Sequence, residues 1–178
     1  MKQRLIGLTL LGTILADGSP AMAHSGATGV VKERMDLMEI IGRQMKVLSA
    51  VFKGEVDYDP QVVREAAAAI GDHAGDKVAA LFPEDSLAPP TEALPAIWLN
   101  WERFTLLSRQ LASYSDALVQ AVNNPSGSEA TVGSVPMLGA TEDVDPAALA
   151  TMAPEVVFLH LAQTCSACHR EFRTKKNH

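Results

Sequence analysis

The sequence predicts an all-α domain, an antiparallel up-down-up-down four-helix bundle. Three observations predict it. Apolar residues recur at three- and four-residue spacing in four separate segments, the period of a helix with one buried face. Glycine, proline and Asx signals punctuate the chain between those segments, and the links at 54–59 and 83–94 are short enough for antiparallel neighbours. No stretch alternates apolar and polar residues as a half-buried strand would, and no internal repeat is evident.

The first helix is expected from about Gly29 to Lys53. Its residues Met38, Ile41, Met45, Leu48 and Phe52 are spaced three, four, three, four and draw a bundle seam. Gly54 follows as the helix-ending glycine. Asp59-Pro60 announces the second helix, an N-cap followed by proline in the first turn. Val63, Ala66, Ile70, Ala74 and Leu81 form its stripe, and Pro83 stops it. The third helix starts near Thr91 or Pro95 and runs to about Asn123, with Ile97, Trp101, Phe104, Leu111, Leu118 and Val122 on its apolar face. Residues 124–144 are rich in Gly, Ser, Thr and Pro and read as a long surface connection. Asp145-Pro146 is a second cap-and-proline signal, Pro154 kinks or restarts the helix, and the helical pattern then holds to Arg173.

The N-terminus is a different kind of segment. Lys2 and Arg4 precede the apolar run Leu5–Ala16, too short to span a bilayer, and Ala21-Met22-Ala23 is a small-residue cleavage pattern. Residues 1–23 therefore read as a secretory signal peptide, and 24–178 as the mature domain, long enough for its own core. The chain carries 15 Lys and Arg against 21 Asp and Glu. Removing Lys2, Arg4 and Asp17 leaves 13 against 20, a net charge of −7 with histidine neutral. Such a balance argues against nucleic acid or anionic lipid as partner and leaves no membrane association after signal cleavage.

The two cysteines of the chain stand in Cys165-Ser166-Ala167-Cys168-His169, the attachment sequence of c-type haem. Two thiols three positions apart on one helical face can each add to a haem vinyl group, and the adjacent imidazole is delivered to the iron as proximal ligand. A thioredoxin-like pair would want a βαβ context, and a structural zinc site would want a fourth ligand, with only His160 near. Export fits the haem reading, because bacterial haem c is attached outside the cytoplasm; the expected location is the periplasm. Basic residues gather just past the motif in Arg170, Arg173, Lys175 and Lys176, either a solvated tail or a docking patch at the haem edge.

Topology then nominates the second iron ligand. In an up-down-up-down bundle the last turns of the fourth helix, with His169, lie beside the first turns of the first. Met35, Leu37 and Met38 are the candidates there, and Met38 lies on the seam. Met45 stands two turns on, roughly 10 Å along the axis, and should miss the iron. Met38 is thus the expected distal ligand. His73 and His160 read as surface or packing residues.

These segments resemble the cytochrome c′ family over nearly the whole mature chain. Cys165 through Arg173 match the ending C-x-x-C-H-x-x-[FY]-R, with Phe172 in the aromatic position. Lys53-Gly54, Leu81-Phe82-Pro83 and Ala93-Leu94-Pro95-Ala96-Ile97-Trp98 match further family segments, and Arg34 matches the arginine of the first helix. Met38, four residues later, falls at the family's distal position. High-spin members hold a non-ligating side chain there. Low-spin members, the cytochromes c556, hold a methionine that binds iron, and this chain looks more like that group. The long connection at 124–144 departs from the usual form.

The resemblance implies one covalent haem c with His169 and Met38 as axial ligands, and one-electron transfer between redox proteins without substrate turnover, so no enzyme. The alternative is a five-coordinate haem protein that binds nitric oxide or carbon monoxide. It also implies that Arg34 and Arg173 contact haem propionates or partner charge, with ordinary ion pairs as the alternative. Trp98 packs either near the haem or simply in the core. Family members are often dimers through helices 1 and 2, so a homodimer is an expectation too.

Overall fold

A computed structural model describes residues 26–127 and 144–174. The expected signal peptide, most of the 124–144 connection and the tail beyond Thr174 lie outside the described residues. Four long or medium helices carry the fold: α1 (Gly29–Phe52), α2 (Pro60–Gly71), α5 (Trp101–Ala121) and α7 (Pro154–Phe172). Three one-turn helices sit between them: α3 (Asp76–Ala79), α4 (Ala96–Leu99) and α6 (Pro146–Leu149). α1 packs on α2, α2 on α5, α5 on α7 and α7 back on α1, which closes a four-helix bundle. Among the described residues the only β feature is a single antiparallel bridge between Ala93 and Arg173.

Local chemistry sets the helix ends. Gly54, at φ 72°, closes α1. Its N–H donates to Val51 O at 3.0 Å and that of Glu55 to Ala50 O at 2.9 Å, the paired bonds of a Schellman cap. The Asp59 carboxylate accepts from Gln61 N at 2.8 Å and Asp145 from Ala147 N at 2.9 Å, each followed by proline where the helix has no N–H to lose. Pro154 likewise sits in the first turn of α7, there without a side-chain cap from Ala153, so it restarts the chain instead of kinking a helix already begun. At the far end of α5, the Asn124 amide donates to Ala150 O and Met152 O at 2.8 and 2.7 Å, tying the 124–144 connection's first residue to the approach of α7.

The second and third helices are not continuous as expected from periodicity. The second ends at Gly71 and resumes as α3 after a break centred on Gly75, at φ 65°. Ser108 of α5 holds that break from both sides: its hydroxyl donates to Gly75 O at 2.6 Å, and its carbonyl accepts from Gly75 N at 3.1 Å. The third is interrupted at Asn100, whose φ −130° and ψ 49° leave the helical region. That break shifts the phase of the chain, so Trp101 stands 38% exposed instead of on the buried face, and Leu99 83% exposed. Phe82 and Leu107, outside the expected stripes, are buried in their stead.

Candidate functional site

The core divides into two clusters. The larger holds Ile41 and Leu48 of α1, Ile70 of α2, Leu111 and Leu118 of α5, and Val157 and Leu161 of α7. The smaller holds Val78, Phe82, Ile97, Phe104, Leu107, Ala167 and Phe172. Cys165 packs against the larger cluster and Cys168 against the smaller, so the C-x-x-C pair straddles the division. Leu37 and Met38 of α1 pack against both, whereas Met45 packs against the larger. Phe52 and Phe158 stack with centroids 4.7 Å apart at the opposite end, which fixes α1 and α7 as antiparallel. Met38 thus packs against the same two clusters that the thiols pack against, one each.

The turn bearing the motif is held from outside. Phe172 O accepts from Leu94 N at 2.9 Å, and Thr174 N donates to Glu92 O at 2.8 Å. Arg173 donates through Nε to Glu92 Oε2 at 2.7 Å and is itself exposed, and Arg103 pairs with Glu171 at 3.5 Å. Arg173 thus serves an ion pair that anchors the end of α7. Glu92 was not foreseen, and with 81 residues between the partners no local pattern could have pointed to it.

Burial pushes the Cys165 thiol up to about 11. It pushes Cys168 up to about 12, with Cys165 and Glu171 adding to the rise and Arg103 opposing it. Both cysteines are half-buried, and before haem is attached their thiols are protonated at neutral pH. His169 lies in the last turn of α7. The residue is exposed, yet partial desolvation, reinforced by Arg173 and opposed by Glu92, holds its pKa below the usual histidine value. The neutral imidazole is the form that ligates a metal.

Arg34, one turn before Met38, is 4% exposed. One Nη donates to Ser86 O, and its Cζ lies 4.7 Å from the centre of the Phe82 ring. Its Nε and other Nη are buried with no hydrogen-bond partner. Burial lowers its pKa, yet a guanidinium keeps its charge in a protein. Two orphaned, charged N–H donors in a core are costly unless an anion meets them, and a haem propionate is such an anion. The donor set thus fits haem: two thiols, an imidazole, a thioether packed against both clusters and a buried cation for a carboxylate. Trp98 donates to Phe82 O at 3.0 Å and packs against the smaller cluster. His73 Nδ1 contacts Ala69 O at 2.8 Å, and His160 stacks on Tyr114 with centroids 5.6 Å apart. Among the described residues no three His, Cys, Asp or Glu side chains converge to hold a bare metal ion.

The cytochrome c′ family model matches residues 29–142. The chain belongs to the cytochrome c′ family. It is 30% identical to a cytochrome c′ of Rhodopseudomonas palustris over 178 residues, 99% of this chain and all of that one. It is also 28% identical to a cytochrome c-556 of Agrobacterium tumefaciens (strain II Chrys) over 152 residues, 83% of this chain and 99% of that one. The solved structure of cytochrome c′ from Rhodopseudomonas palustris superposes with a TM-score of 0.61 at 30% identity, covering 85% of this chain and all of that one. Membership makes this a haem protein whose cofactor is covalent haem c with its iron. Relatives of both names stand at nearly equal identity, so the distal residue has to separate the two types.

Proposed function

We propose that this chain is an exported c-type cytochrome that carries single electrons between redox proteins, with His169 and Met38 as the axial ligands of one haem c held by Cys165 and Cys168. The observation that supports the reading is the packing of Met38 against both core clusters, the two that the C-x-x-C pair straddles. Bound haem supplies a one-electron couple, and a thioether opposite an imidazole raises its potential. The chain's own residues do the rest. Cys165 and Cys168 would hold the haem covalently, the buried Arg34 would meet a propionate, and Met38 would keep exogenous ligands off the iron. A filled coordination sphere suits electron transfer and leaves no site for turnover, so the protein is no enzyme.

Supporting the location, the segment at residues 1–23 carries a signal-peptide pattern, and among the described residues no helix is long and apolar enough to cross a membrane. The periplasm is the compartment this reading assigns. Val47 on α1 and Val62 on α2, both exposed, suit a homodimer through those helices. Met38→Ala tests the central assignment. The variant should turn the iron high spin, lose the weak long-wavelength methionine–iron absorption band, and bind carbon monoxide in the ferrous state. An unchanged spectrum would transfer the protein to the five-coordinate, gas-binding type.

A further inference from the structure

Seven glycines lie among the described residues, and six have a reason in the chain itself. Five adopt positive φ, and an added Cβ at Gly71 would press on Ser115 and Asp116 of α5 at 3.4 and 3.3 Å. Gly42 has neither reason. It sits in the middle of the 24-residue α1 with helical backbone, it is half-buried, and an added Cβ would meet nothing within 4 Å. Glycine weakens a helix interior relative to alanine, so a residue with no steric or conformational need for it marks something else.

Its place suggests what. Gly42 follows Met38 by four residues, hence one turn on the same side of α1. Helical side chains lean back toward the N-terminus, over the residue one turn earlier. A side chain at 42 would therefore lie across Met38. Met45, three residues further, is already packed into the larger cluster, so it does not cover that spot. Position 42 thus contributes no side chain over Met38, which itself packs against both clusters.

We infer that Gly42 is a positioning residue for the distal ligand: its lack of a side chain leaves room for the Met38 thioether to stand off the helix toward the iron, and for the porphyrin to approach α1 closely there. This rests on the His/Met reading above. Two substitutions in the haem-loaded protein test it. Gly42→Leu should cover Met38, remove the long-wavelength methionine–iron band and raise ferrous carbon monoxide affinity by about tenfold or more. Gly42→Ala should move both readouts the same way by less, while circular dichroism shows the helices intact. A role confined to helix stability would shift the unfolding temperature and leave band and affinity alone. If Met38→Ala abolishes the band but both Gly42 variants keep it at unchanged affinity, this inference is wrong and the ligand assignment stands. If Met38→Ala leaves the band in place, the ligand assignment falls and takes this inference with it. Should Gly42→Leu fail to take up haem, Gly42→Ala alone decides.

Discussion

The two ends of this bundle are built to different standards. The end holding Phe52, Leu48, Tyr114 and Leu161 is an ordinary helical core, capped by a Schellman turn and closed by the Tyr58 hydroxyl donating to Val122 O at 2.8 Å. The end holding Arg34, Phe82, Trp98 and Cys168 breaks local rules repeatedly. It buries a cation with two orphaned donors and interrupts its helices at Gly75 and Asn100. Proteins tolerate such violations where function needs them, and elsewhere keep propensity, pattern and packing in agreement. One end thus supplies stability to hold the other in a shape that a chain alone would not favour.

Substitutions at the two ends should therefore separate stability from spectrum. The largest stability effect belongs to the ordinary end. Leu48 is fully buried and stands ten residues beyond Met38, roughly 15 Å along α1. Leu48→Ala should cost about 2–5 kcal/mol, seen in denaturant unfolding of the haem-loaded protein, with the visible spectrum unchanged. A spectral change of the size given by Met38→Ala would mean that the two ends are not separable.

Arg34→Met comes next and carries a sign. If the two orphaned donors meet a haem carboxylate, removing them from the haem-loaded protein costs about 1–3 kcal/mol. If nothing anionic meets them, replacing an uncompensated buried cation by an apolar chain of similar size is neutral or stabilising. The same denaturant titration reads the sign, and a stabilised haem-loaded variant would remove Arg34 from the site.

The ordinary end was the more legible in sequence, and for a physical reason. Its determinants are local: the three-four spacing through Leu48 and Phe52, the glycine at 54, and the Asp-Pro pairs at 59–60 and 145–146 each act within one turn of chain. The C-x-x-C-H motif is equally local, since the chemistry of attachment fixes the spacing within a single helix. The unreadable features depend on partners far away in sequence. Gly75 breaks the second helix onto Ser108, 33 residues on, and Arg34 reaches Ser86, 52 residues on. The break at Asn100 changes helical phase by a local shift that a periodicity count runs straight through, which is why Trp101 was expected inside. Gly42 reads as an unremarkable helix residue until the space around it is known.

The smallest effect is a pH dependence, and it arises in the ordinary end. His160 stacks on Tyr114 against the larger cluster, and burial lowers its pKa from the usual 6.5. The folded protein therefore favours the neutral ring more than the unfolded chain does. Above pH 6.5 the ring is neutral in both states and contributes no pH dependence. As pH falls through that value the unfolded chain takes up the proton first, so the folded state loses ground until its own, lower pKa is passed. Denaturant midpoints of the haem-loaded protein should fall with acidification in that window. His160→Phe, which keeps an aromatic ring against Tyr114 and removes the titration, should flatten that part of the slope, whereas carboxylates protonating at lower pH would act on both proteins alike. A slope identical in the two would place the acid sensitivity in groups other than His160.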